Sequence, residues 1–124
     1  MEKLIYVGIG GFVGASLRYL ISIFSAKIFN GHLPYGTLIV NIMGGLLIGL
    51  IMEMSGTTKM ISPNLRLFLT TGMLGGLTTF STFSYETVIL FMNTYYLWGM
   101  INICLNLFLS LAGVIVGRMI VQMF

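Results

Sequence analysis

The chain has 124 residues, of which 57% are hydrophobic and 7% charged, with a net charge of +3 from six basic and three acidic residues. Soluble domains are about a quarter charged, so water is excluded as the solvent for most of this surface, and the chain reads as an integral membrane protein. The basic residues are scattered rather than clustered, which excludes a nucleic-acid footprint, and a single cysteine excludes a disulfide framework within one chain.

Four apolar tracts follow in chain order. A spanning helix needs about 20 mainly apolar residues, and the first candidate runs over about 4–28. Its start, MEKLIYVGIGGFVGAS, has the charged and then apolar character of a signal peptide. The run continues through Arg18 and Tyr19 with no cleavage pattern, so it reads as a retained first helix. Asn30-Gly31-His32 is a turn, with His32 a loop residue, and Pro34 opens a second helix over about 34–54. Residues 55–64 form a loop that ends in Ser62-Pro63, an N-cap and first helical residue. The third tract covers about 65–93 and the fourth about 97–123. Tyr95, Tyr96 and Trp98 between them suit an aromatic belt. Cys104, in the fourth tract, reads as a small core residue.

The third tract is too long for one upright helix. At about 1.5 Å per residue its roughly 29 residues would reach about 43 Å, against a hydrocarbon core of about 30 Å. Tilt absorbs the excess in one reading. In the other the helix breaks near 75–79, at GGLTT, where glycine is a poor helix former and threonine hydroxyls compete for backbone groups. A break inside a bilayer must be buried in protein or must line a polar site. Carbonyls freed at a helix C-terminus there suit a cation. A glycine kink used only for packing is the plainer alternative.

Every tract carries glycines four apart: Gly10 and Gly14, Gly45 and Gly49, Gly72 and Gly76, Gly113 and Gly117. Such pairs let helix backbones approach closely and predict a tight bundle. With four spans, the side holding both termini carries Lys3, Lys59, Arg66 and Arg118, and the opposite side carries Lys27 and Arg18. The positive-inside preference is therefore small and compatible with insertion in either direction. A chain this small does not easily enclose a lipid-shielded cavity alone, which argues for an oligomer.

Few polar residues interrupt the tracts. Arg18 costs roughly 2.5–3.5 kcal/mol at a helix centre, so it either snorkels toward the interface or anchors something near an anion path. Asn41, in TLIVNIMGG, is helix glue or a donor of two N–H groups to an anion. Asn106 and Ser110 share a helix face, and with Asn41, Thr82 and Ser84 they can form a polar track. Phe80 and Phe83 also share a face. They are core, or else their positive ring edges join hydroxyl and amide donors around a small anion held weakly enough to leave. Glu86 follows Phe83 by three residues and takes no role from position alone. No nucleophile and base stand close in sequence and no phosphate-loop signature is present, so no enzyme is expected.

The stretch GGLTTFSTFS, with TTGMLG upstream, GGFVGASLRY in the first tract and TLIVNIMGG in the second, resembles the Fluc (CrcB) family of fluoride channels over the whole chain. The resemblance implies an all-α membrane protein in which four helices, the third broken, pair as an antiparallel, dual-topology homodimer in the plasma membrane. It implies a passive fluoride-selective channel that lets fluoride leave the cell and confers resistance, with two pores and a central structural Na+. Phe80, Phe83 and Asn41 match residues lining the fluoride path. Ser81, Thr82 and Ser84 match the hydroxyl part of the motif, with the track running on toward Asn106 and Ser110. Gly75 and Thr78 match the carbonyls that hold the Na+. Arg18 and Glu86 match an arginine and an acid of the family. The rival class is a small multidrug-resistance-type exporter, also of four spans and dual topology. Its proton coupling needs a carboxylate embedded in the first helix, where this chain has Arg18 and, at the extreme terminus, Glu2.

Overall fold

In the computed structural model, which describes residues 1–124, every element is helical. Hydrocarbon offers no partner to a backbone N–H or C=O, and 87 of the 102 backbone hydrogen bonds lie inside helices, leaving few for turns and caps. Helix α1 spans Glu2–Ile28 and α2 spans Tyr35–Thr57, joined by a turn in which Gly31 takes a φ of +120° that other residues rarely adopt. α2 runs past Met54 before Thr58 turns extended. The third tract opens at α3, Pro63–Leu67, where Ser62 Oγ accepts the Leu65 amide at 3.1 Å as an N-cap. It widens into a π-helical stretch, Phe68–Leu74, closes as the single turn α4, Gly75–Leu77, and resumes as α5, Phe80–Met92. α6 spans Tyr96–Gln122. α1, α2 and α6 are each long and apolar enough to cross a membrane. The third tract is broken, at Thr78-Thr79, and crosses in pieces.

The eight paired glycines build two seams. In the first, α1 lies parallel to the lower third tract. A side chain at Gly10 would meet the Phe68 carbonyl and Gly72, one at Gly14 would meet Met73 and Leu77, and one at Gly76 would meet Gly11 and Ala15. In the second, α2 lies parallel to α6, with Gly45 against the Ser110 carbonyl, Gly49 against that of Val114, and Gly117 against that of Leu46. Backbone touches backbone in both, which is how helices associate when lipid supplies no hydrophobic drive. Between the seams Val40, Leu74 and Leu77 form a small dry core, flanked by Ile21, Leu47 and Ile51.

Most large apolar side chains face outward, as expected where the surroundings are lipid. Cys104 is among the exposed residues rather than the core. Reading cysteine as buried transfers a habit of water-soluble proteins to a helix whose outer face is also apolar. The π-helical stretch has no signal in the sequence.

Candidate functional site

The break is built from α2 as much as from the tract that breaks. Thr78 and Thr79 are both extended, with φ, ψ of −82°, 158° and −151°, 123°. Thr79 gives its amide to Asn41 Oδ1 at 2.9 Å, and its carbonyl accepts from Asn41 Nδ2 at 3.1 Å. One side chain thus replaces the pairing that helix continuation would supply. One turn on, Gly44 leaves room for the Thr78 methyl. The stretch NIMGG is therefore a saddle: an amide to clamp Thr79, a gap for Thr78, and Gly45 to admit α6.

Among the carbonyls that the break frees, those of Gly75 and Thr78 have their ordinary donors captured elsewhere. In a continuing helix the Thr79 amide would close on the Gly75 carbonyl and the Thr82 amide on that of Thr78. The first goes to Asn41. The second goes to the Thr79 hydroxyl, at 3.1 Å, as the N-cap of α5. Neither carbonyl accepts any of the hydrogen bonds made outside the helices. Gly75 is exposed on the protomer, which places an unpaired oxygen on a surface that lipid cannot satisfy. On the far side of the break, the Phe80 and Ser81 amides begin α5 without helical partners. The positive end of a helix dipole lies there.

The Asn41 contact continues as a relay. Asn41 Nδ2 donates to Asn106 Oδ1 at 2.9 Å. Asn106 Nδ2 donates to the Asn102 carbonyl and Oδ1 at 2.9 and 3.0 Å. Asn102 Nδ2 donates to Thr87 Oγ1 at 2.9 Å, and the Thr87 hydroxyl donates to the Phe83 carbonyl at 2.8 Å. Asn102 is 0% exposed. Asn102 and Thr87 carry no motif, and sequence reading misses them. The one available signal is the spacing of Asn102 and Asn106, four apart on one face of an otherwise apolar helix.

A groove of about 560 Å³ opens beside this relay, lined by Asn41, Phe80, Phe83, Asn106 and Ser110 among others. The Phe80 and Phe83 rings sit 5.6 Å apart at 56°, and Phe80 is 79% exposed on the protomer. The Ser110 hydroxyl is buried there with no partner. The Asn41 donors, readable from sequence as free for an anion, are both spent inside the chain. What remains unspent beside the groove is the buried Ser110 hydroxyl and the ring edges of the two phenylalanines.

Other sequence candidates stand apart. Ser81 and Thr82 are exposed, and Ser81 Oγ is 3.4 Å from the Thr79 hydroxyl. Ser84 donates to the Phe80 carbonyl at 2.9 Å, within its own helix. Arg18 is half-buried one turn past Gly14, hence level with the break, and the one ion pair in the chain is Glu53 with Arg118. Glu86 lines a separate cavity with His32, and one of its carboxyl oxygens is buried without a partner. His32 itself stacks on Tyr95 at 3.9 Å.

Fold and site together define a small multi-pass membrane protein with a broken helix and a groove lined by aromatic, hydroxyl and amide side chains. The family model described as "CrcB-like protein, Camphor Resistance (CrcB)" matches residues 5–118, and the chain belongs to that family. Proteins named fluoride-specific ion channel FluC from Clostridium perfringens and Clostridium novyi are 60% identical to it over 121 residues, covering 95% of this chain and 94% of each relative. One of the same name from Shewanella loihica is 45% identical over 121 residues, 98% of this chain and 97% of that protein.

Proposed function

We propose that this chain is a passive, fluoride-selective channel of the plasma membrane that lets fluoride leave the cell and so confers fluoride resistance. The observation that carries the reading is the groove at the break, where Phe80, Phe83 and Ser110 converge in a chain 60% identical to proteins named for that activity. No full positive charge lines this groove. A weak cage of ring edges and one hydroxyl holds an anion loosely enough for it to move on, which conduction requires.

The working unit is a homodimer of oppositely inserted chains. Support comes from the unpaired Gly75 carbonyl, which needs protein rather than lipid against it, and from the groove beside Phe80, which one protomer leaves open. A second copy would cover both and close two grooves. The small charge bias between the two sides accords with either insertion. The freed carbonyls of Gly75 and Thr78 also fit a structural Na+, since carbonyls of unwound membrane helices suit this ion. Two such oxygens would come from each protomer. The ion, when bound, supplies the positive charge that these oxygens lack in hydrocarbon. The chain's own part is done by Asn41 and Thr79, which capture the competing amides and keep the oxygens free.

The test is fluoride efflux from proteoliposomes, followed with a fluoride electrode. The purified chain should release trapped fluoride without a coupled proton gradient. Phe83→Ala should reduce throughput by about tenfold or more, the scale of a single removed stabilising contact in a dry site. Absence of fluoride release by the native chain, together with proton-driven uptake of an aromatic cation, would replace this reading with the exporter class.

A further inference from the structure

We propose that Thr87 is a positioning residue for anion passage. Its hydroxyl sets the direction of the amide relay and so keeps the donors of Asn106 turned away from the groove. The inference rests on the channel reading above.

A carboxamide can sit either way round, with its oxygen and nitrogen exchanged. What fixes each amide is the character of its neighbours. The Thr87 hydroxyl has one hydrogen, and it goes to the Phe83 carbonyl one turn back, at 2.8 Å. Its oxygen is therefore left only to accept. Asn102 must then present its NH2 group to Thr87, which leaves its Oδ1 and carbonyl for the Asn106 NH2 group. Asn106 in turn shows Oδ1 to Asn41. Asn41 is pinned independently, because the Thr79 amide and carbonyl hold it from both sides. Asn106 shows its oxygen to that pinned amide, and its NH2 group is held at the other end by the Asn102 carbonyl and Oδ1, the second of which depends on Thr87. Thr87 and Asn102 are buried, with exposures of 6% and 0%, so water does not substitute for either.

Without the hydroxyl, the Asn102 NH2 group has no acceptor. If Asn102 turns to recover one, it meets the Asn106 NH2 group donor to donor. The Asn106 NH2 group then keeps only the Asn102 carbonyl, and its repelled N–H turns toward the groove that Asn106 lines with Phe80, Phe83 and Ser110. An added N–H donor binds a passing anion more tightly and slows its release.

Fluoride efflux is measured across a range of fluoride concentrations for the native chain, Thr87→Val and Thr87→Ser. Valine keeps the shape and removes the hydroxyl. Thr87→Val should lower maximal throughput about tenfold, the scale of one buried unsatisfied donor, with a lower half-saturating fluoride concentration. Thr87→Ser, which restores the hydroxyl, should recover most of both values. A merely structural role would reduce the number of working channels and leave half-saturation where it was. That result, or native behaviour of Thr87→Val, overturns the proposal while leaving the channel reading intact. A native chain that passes no fluoride overturns both. If Thr87→Val fails to insert, Thr87→Ala is read by the same two numbers.

Discussion

The glycine seams and the helix break handle the backbone in opposite ways. Along the seams the helices are hydrogen-bonded within themselves, and glycine removes side chains so that finished helices can touch. At the break, pairing is withdrawn from Gly75, Thr78 and Thr79, and only Thr79 is repaired, by Asn41 from another helix. Small residues occur in both places for different reasons. In a seam they minimise distance. At the break they let the chain leave the helix, and polar side chains are then needed nearby. Small residues inside a membrane protein therefore do not indicate a site; small residues beside a dedicated amide do.

Three substitutions sharpen that contrast. The largest effect on folding is expected from Asn41→Ala, which leaves the Thr79 amide and carbonyl and the Asn106 oxygen unpaired. At about 1–3 kcal/mol for each unsatisfied buried group, thermal unfolding in detergent should register a loss of about 3 kcal/mol or more. Fluoride efflux should fall with it. If Asn41→Ala unfolds like the native chain, the break is held by something other than the clamp.

Gly49→Val attacks a seam instead. The new side chain would drive into the Val114 carbonyl, and overpacking of this kind costs about 1–3 kcal/mol. The same measurement should show that loss. Unchanged stability would mean that α2 and α6 do not meet at that register.

Gly8→Ala is the smallest change and has the opposite sign. Nothing lies within 4 Å of a Cβ built there, so only helix propensity acts, a gain of about 1 kcal/mol or less. A loss at Gly8 would show that this face of α1 is covered by something outside the protomer.

Much of this was legible in the chain's own text. The excess length of the third tract and its GGLTT interruption mark where a break would fall, because both follow from local geometry and propensity; that the tract breaks rather than tilts or kinks was decided by the extended Thr78-Thr79 held on Asn41. Spacing alone gave the four glycine pairs, and Ser62-Pro63 is a local cap. The pairing of seams was not legible: that α1 takes the third tract and α2 takes α6 depends on which helices lie side by side. For the candidate site, Asn41, Phe80, Phe83 and Ser110 were marked by residue type, whereas the fate of Asn41's donors was hidden. A carboxamide is donor and acceptor at once, and only its neighbours decide which it offers.

What the amino-acid sequence determined by itself is the solvent, the number of crossings and the place where a helix can fail, all of which come from composition and periodicity along one dimension. What only the tertiary structure decided is who repairs the failure. Asn41 reaches Thr79 from 38 residues away, and the amide relay joins α2, α6 and α5 into one network of fixed direction. Hydrogen-bond polarity is a property of groups brought together in space, and no single position in the chain contains it.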